Sequence, residues 1–143
     1  MSGHSFGGLT TLLVTARDTR IVAGLAMAPV ARGYQDQVQA IHVPLMTEVG
    51  TLDGLHTDGQ LTYSWLQSPR YLPEIDNMTP AAFADLCLDC TSTSLTLVEA
   101  HPIILRYAIP LRVRWVAGGH QFDAFLDPAA TPPGVTFSAD APA

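Results

Sequence analysis

The chain has 143 residues, a length for one domain, with formal net charge -6 and 14% charged residues. It carries no basic stripe, so nucleic acid is not an expected partner, and no apolar run approaches a membrane span, so no transmembrane segment is expected. Hydrophobic residues make up 48%, enough for a buried core.

The first eight residues contain Gly3-x-Ser5-x-Gly7, the pattern of a nucleophile elbow, in which a sharp strand-to-helix turn holds up a serine. The serine of such a turn is strained, and the flanking glycines are expected to avoid collisions with the neighbouring strand and helix. Leu9 to Ala16 is apolar and free of Gly and Pro, as a buried helix would be. An elbow takes a strand in front of it, and only Met1-Ser2 stands there.

Ile21 to Ala28 is a continuous apolar run, the mark of a strand covered on both faces of a parallel sheet. Val30 to Val43 reads as an irregular excursion. Pro44 to Val49 is a second strand that stops at Gly50. Thr51-Leu52-Asp53-Gly54 then forms a tight turn with a carboxylate just past a strand end. Thr57 to Ser68 reads as a helix, with Leu61, Trp65 and Leu66 on one face. Tyr71 to Ile75 is a short third strand, and Pro73 marks it as an edge strand.

Asp76 to Pro80 is a turn and Ala81 to Cys87 a short helix. Pro102 to Val116 is the last helix, with Pro110 inside it and Gly118-Gly119 ending it. From Asp127 the chain is rich in Pro and Ala and reads as irregular. Alternating strands and helices with two-face-buried strands argue for an α/β fold with a parallel sheet. In such sheets chemistry collects at the carboxyl ends of strands, where Ser5, Asp53 and the turn after Ile75 fall.

A serine hydroxyl needs a base to take its proton, a carboxylate to orient that base, and donors for the oxyanion. The N–H of Phe6 is the expected oxyanion donor, and Asp53 the natural acid in the order Ser, Asp, His. An Asp-Gly pair is also a common turn device, which is the alternative use of Asp53. No histidine lies between Asp76 and Cys87. His4 reads as packing beside the elbow, and His42 precedes a strand at the wrong end of the sheet. His101 opens the last helix near its cap, and His120 follows a glycine pair and is exposed. His56, three residues past Asp53, is the weak substitute base.

Cys87 and Cys90 do not complete a zinc site. They are read as ordinary thiols or as bonded to something outside the chain. No metal and no cofactor is expected.

These residues resemble the α/β-hydrolases, and within them the platelet-activating-factor acetylhydrolase and dienelactone-hydrolase-like group of serine esterases. The resemblance rests on Gly3-His4-Ser5-Phe6-Gly7-Gly8, on Val43-Pro44 through Gly50-Thr51-Leu52-Asp53, and on Tyr71-Leu72-Pro73-Glu74-Ile75. Phe83-Ala84-Asp85-Leu86-Cys87 and the closing segment near Phe125-Leu126-Asp127-Pro128 add to it. It implies a carboxylic ester hydrolase of the lipase and esterase kind, acting on a small-molecule or lipid-like ester through an acyl-serine, with Ser5 as nucleophile, Asp53 as acid and Phe6 as oxyanion donor. In such relatives the catalytic histidine stands three positions ahead of the Phe of the Phe-x-Asp-Leu-Cys segment. Here that position is Pro80, which has neither a side-chain nitrogen nor an N–H.

Residues 1–128 are therefore expected to be the C-terminal portion of an α/β-hydrolase domain, and 129–143 an irregular tail. Members of the group are secreted or cytoplasmic, so the resemblance fixes no compartment. Without preceding strands, the strand Ile21 to Ala28 is expected to leave an unpaired apolar edge that invites self-association. The empty base position makes a non-catalytic, acyl-binding remnant the alternative to a working esterase.

Overall fold

A computed structural model describes residues 1–85 and 90–141. It is a mixed α/β fold built on a five-stranded sheet. The elements run β1 (Ser2–His4), α1 (Phe6–Thr15), β2 (Gly24–Met27), α2 (Gln35–Gln39), β3 (Leu45–Gly50), α3 (His56–Trp65), β4 (Arg70–Ile75), α4 (Leu97–Trp115) and β5 (Val135–Asp140). A 3-10 helix at Pro80–Ala84 lies between β4 and α4. Among the described residues no helix is long and apolar enough to cross a membrane.

The strands lie side by side in chain order, β1 through β4 parallel and β5 antiparallel to β4. Side-chain alternation along β3 sorts the core into two layers. Leu45 packs with Leu12, Ala26, Val38 and Ile41 on the face of α1 and α2. Met46, its neighbour, packs with Tyr71, Tyr107, Leu111 and Phe137 on the face of α4. Every residue of β3 is buried, as expected of a parallel strand covered on both faces.

Several expectations are corrected. A strand does stand before Ser5: Ser2–His4 pairs in parallel with Leu25–Met27. β2 therefore has neighbours on both sides, and the open edge belongs to β1. Pro73 is not on an edge strand, because β4 is paired to β3 and also to β5, with Pro73 opposite Phe137. The ladder to β3 instead skips the proline, running from Met46–Tyr71 to Val49–Glu74, as the missing N–H requires.

The stretch 129–143, expected to be an irregular tail, contains β5. Its inward Phe137 is buried against Tyr107 and Tyr71. The excursion Val30 to Val43 contains α2, anchored by buried Val38. The last helix begins at Leu97 rather than Pro102, because Thr96 and Glu99 form a reciprocal capping box there. The short helix expected over Ala81 to Cys87 is a 3-10 helix over Pro80–Ala84. Leu86 and Cys87 lie outside the described residues. Cys90 is disulfide-bonded, which sets aside the ordinary-thiol reading for that residue.

Candidate active site

Ser5 sits between the last residue of β1 and the first of α1, with φ 56° and ψ -119°. A side chain disfavours this region strongly, and such strain is held only where the surroundings enforce it. Here the Ser5 N–H donates to Met27 O at 2.9 Å, tying the turn to the end of β2. Gly3 is forced by contact, since a Cβ there would meet Gly7 O at 2.3 Å. Gly8 is held close to Pro29, whose Cα a Cβ would approach to 3.0 Å. Gly7 meets nothing within 4 Å, so the expected collision fails at that glycine. The tight approaches are at Gly3 and Gly8.

The side chain of Phe6 is 73% exposed. Its N–H lies in the first turn of α1, where a donor has no acceptor inside the helix. Ala28, just past β2, also has a positive φ of 44°, so backbone strain gathers at this end of the sheet.

Asp53 follows β3 by three residues and is 7% exposed. Its Oδ1 accepts from the N–H of Leu55 at 2.7 Å, so it serves the turn as well. The loop carrying Asp53 is knitted to the turn carrying Pro80. Thr51 N donates to Ile75 O at 2.9 Å, Leu52 N to Met78 O at 3.2 Å, and Asn77 N to Thr51 Oγ1 at 3.0 Å. Pro80 itself opens the 3-10 helix directly after this turn. On the other side, the ring of His4 lies 5.7 Å from that of Phe83 in the same 3-10 helix. The loops after β1, β3 and β4 are thus joined in pairs around the Pro80 segment.

The histidines have other engagements. His56 opens α3, and its Nε2 is 2.7 Å from Glu74 Oε1, which also accepts from Gln60 at 2.8 Å. That bond holds the ring on β4, while the His56 N–H donates to Asp53 O at 3.0 Å. His101 lies within the second turn of α4 rather than at its cap, and its Nε2 is 2.9 Å from Asp85 Oδ1. His42 is exposed ahead of β3, and His120 pairs on the surface with Asp123 at 2.9 Å. His4 packs against Phe83 of the 3-10 helix rather than against the elbow alone.

Glu48 went unnoticed in the sequence. It lies in β3 opposite Met27, which in turn lies opposite His4 in β1. It is wholly buried, and among the described residues neither carboxylate oxygen has a hydrogen-bond partner. Burial pushes its carboxyl well above the usual range, so the neutral acid is the favoured form. Burial also raises the Tyr107 hydroxyl, partly offset by Arg106. An acidic residue inside a run that reads as a strand was the available signal. Among the described residues no cluster of His, Cys, Asp or Glu could hold a metal ion. No family model matches the chain, and no curated protein matches it.

Proposed function

We propose that this chain carries the site of a serine-dependent carboxylic ester hydrolase of the α/β-hydrolase type, impaired by the residue at position 80. The observation that carries this reading is the strained backbone of Ser5, wedged between β1 and α1 with Gly3 pressed against the helix. Such strain persists where it serves to present a side chain. The parallel order β1 to β4 supports it, because Ser5, Asp53 and Pro80 follow the first, third and fourth strands.

In this mechanism Ser5 Oγ attacks the ester carbonyl and its proton passes to a base. The Phe6 N–H stabilises the oxyanion, the alcohol leaves with a proton, and water then releases the acid from the acyl-serine. The base is the weak point, since Pro80 accepts no proton and His56 is held by Glu74. The expected substrate is a small or lipid-like ester.

The test is labelling by a fluorophosphonate together with turnover of a short-chain p-nitrophenyl ester. Slow labelling lost in Ser5→Ala supports the proposal, and no labelling of Ser5 at all overturns it. The second reading is a non-catalytic remnant that keeps an acyl-binding surface, and it is favoured by the proline at position 80. Saturable binding of an ester analogue without any covalent labelling is its signature.

A further inference from the structure

Ser5 and Asp53 follow β1 and β3, two strands that are not neighbours. The strand between them, β2, ends in a loop that reaches the surroundings of both. On the Ser5 side the loop is pressed on the elbow helix, where a Cβ on Gly8 would meet the Pro29 Cα at 3.0 Å. Ala31 then turns inward, fully buried in the same core cluster as Leu12 of α1. The next residue, Arg32, crosses to α3. Its N–H donates to Asp58 Oδ2 at 3.1 Å and its guanidinium to Asp58 Oδ1 at 3.0 Å. One residue thus serves both oxygens of a carboxylate that is 3% exposed.

Asp58 passes this restraint on to Asp53. It stands in the first turn of α3, where a carboxylate also meets the positive end of the helix dipole. Its own carbonyl accepts from the Thr62 hydroxyl at 2.8 Å. The helix is seated closely on β3, because a Cβ on the adjacent Gly59 would stand 2.3 Å from Val49 Cγ1. At its start α3 is tied to the Asp53 loop, with the His56 N–H donating to Asp53 O at 3.0 Å and the Leu55 N–H to Asp53 Oδ1 at 2.7 Å. An ion pair open to water at both ends contributes little. Here the acceptor is inside, and loss of the guanidinium leaves a buried oxygen without that donor.

We infer that Arg32 and Asp58 are positioning residues, which hold the Asp53 loop in a fixed place relative to the Ser5 turn. The inference rests on the reading of Ser5 and Asp53 as nucleophile and acid. The pair acts through the two loops, by way of Pro29 on one side and the first turn of α3 on the other.

Amide hydrogen exchange of the full chain, followed by NMR, tests this without a substrate. In Arg32→Ala the Leu55 and His56 amides should exchange at least about tenfold faster, as local opening allows. The Leu45 amide, bonded to Pro69 O at the far end of β3, should keep its rate. Asp58→Asn sets an amide NH2 against one of the two donors and should give the same pattern, and it serves if Arg32→Ala does not fold. Arg32→Lys should recover most of the protection, because the side chain makes a single bond to Oδ1 that an ammonium can also make. With a histidine supplied by Pro80→His, adding Arg32→Ala should lower kcat for a p-nitrophenyl ester about tenfold with KM little changed. Exchange at Leu55 and His56 that neither Arg32→Ala nor Asp58→Asn alters overturns the inference. So does faster exchange shared equally by Leu45, which is the mark of a pair that holds the fold alone, and so does turnover of an active Pro80→His protein that Arg32→Ala leaves intact. A Pro80→His protein without turnover counts against the esterase reading, and the exchange pattern then decides the inference by itself.

Discussion

Gly50 lies directly against the carbonyl of Met78, so that a Cβ built on Gly50 would stand 2.1 Å from that oxygen. This contact lets the loop after β3 and the turn after β4 close on each other, and it draws the Asp53 loop against the Pro80 segment. The neighbouring bonds, Leu52 N to Met78 O and Thr51 N to Ile75 O, depend on the same approach. A backbone atom cannot swing aside as a long side chain can. Gly50→Ala should therefore destabilise the fold by about 1–3 kcal/mol, the cost typical of overpacking, or more if the turn must part. The midpoint of urea unfolding measures it. A midpoint unchanged from the parent would show that the two loops are not held by this contact.

The backbone of Ser5 makes a prediction of opposite sign. At φ 56° and ψ -119° a serine is strained and a glycine is not. Ser5→Gly should raise stability by about 1 kcal/mol, seen as a higher melting temperature, while removing any fluorophosphonate labelling. Ser5→Ala keeps the Cβ and should lose labelling without that gain. A glycine variant no more stable than the alanine variant would mean that Ser5 is not strained in solution.

Glu48 links stability to pH. Its folded-state pKa is raised by burial above the value in the unfolded chain. The folded form therefore holds the proton more tightly, and stability falls as pH rises from the unfolded pKa toward the folded one. Unfolding midpoints should decline from mildly acidic pH upward. Glu48→Gln, which cannot ionise, should flatten that decline and be the more stable protein at the alkaline end. The sign is the opposite of that for a salt-bridged carboxylate. An unaltered pH profile in Glu48→Gln would place the ionisation elsewhere.

The turn at Ser5 and the inner strands were legible because their signals are local. Gly3 is pressed against the carbonyl of Gly7 within one turn, and the apolar runs of β2 and β3 report burial in the sheet. What escaped the sequence depends on partners distant along the chain. β5 follows Pro132-Pro133-Gly134 and looks like tail; only its pairing with β4 and the seat of Phe137 between Tyr71 and Tyr107 make it a strand. Pro73 was misread because a missing N–H was taken to demand an open edge, whereas the ladder to β3 passes over it. The bond between His56 and Glu74 spans separate elements, so nothing beside Asp53 announced that this histidine was engaged.

Pro80 separates the two functional readings. It occupies the first position of the 3-10 helix, after Thr79 in extended geometry. A residue at that position owes no hydrogen bond to the helix, so a histidine there loses nothing the backbone needs. Pro80→His should cost well under about 1 kcal/mol through the freer unfolded chain. If Ser5, Asp53 and the Phe6 N–H are otherwise poised, the new imidazole supplies the base, and such catalysis contributes roughly 10²–10⁴-fold. Hydrolysis of a p-nitrophenyl ester should rise by that order in Pro80→His, should not rise in Pro80→Ala, and should vanish in Pro80→His combined with Ser5→Ala. The activity should also fall as the imidazole becomes protonated at acidic pH, because a protonated ring accepts no proton from the serine. If a folded Pro80→His protein gains no activity and Ser5 remains unlabelled, the esterase reading fails at the level of the whole site, and the acyl-binding reading takes its place.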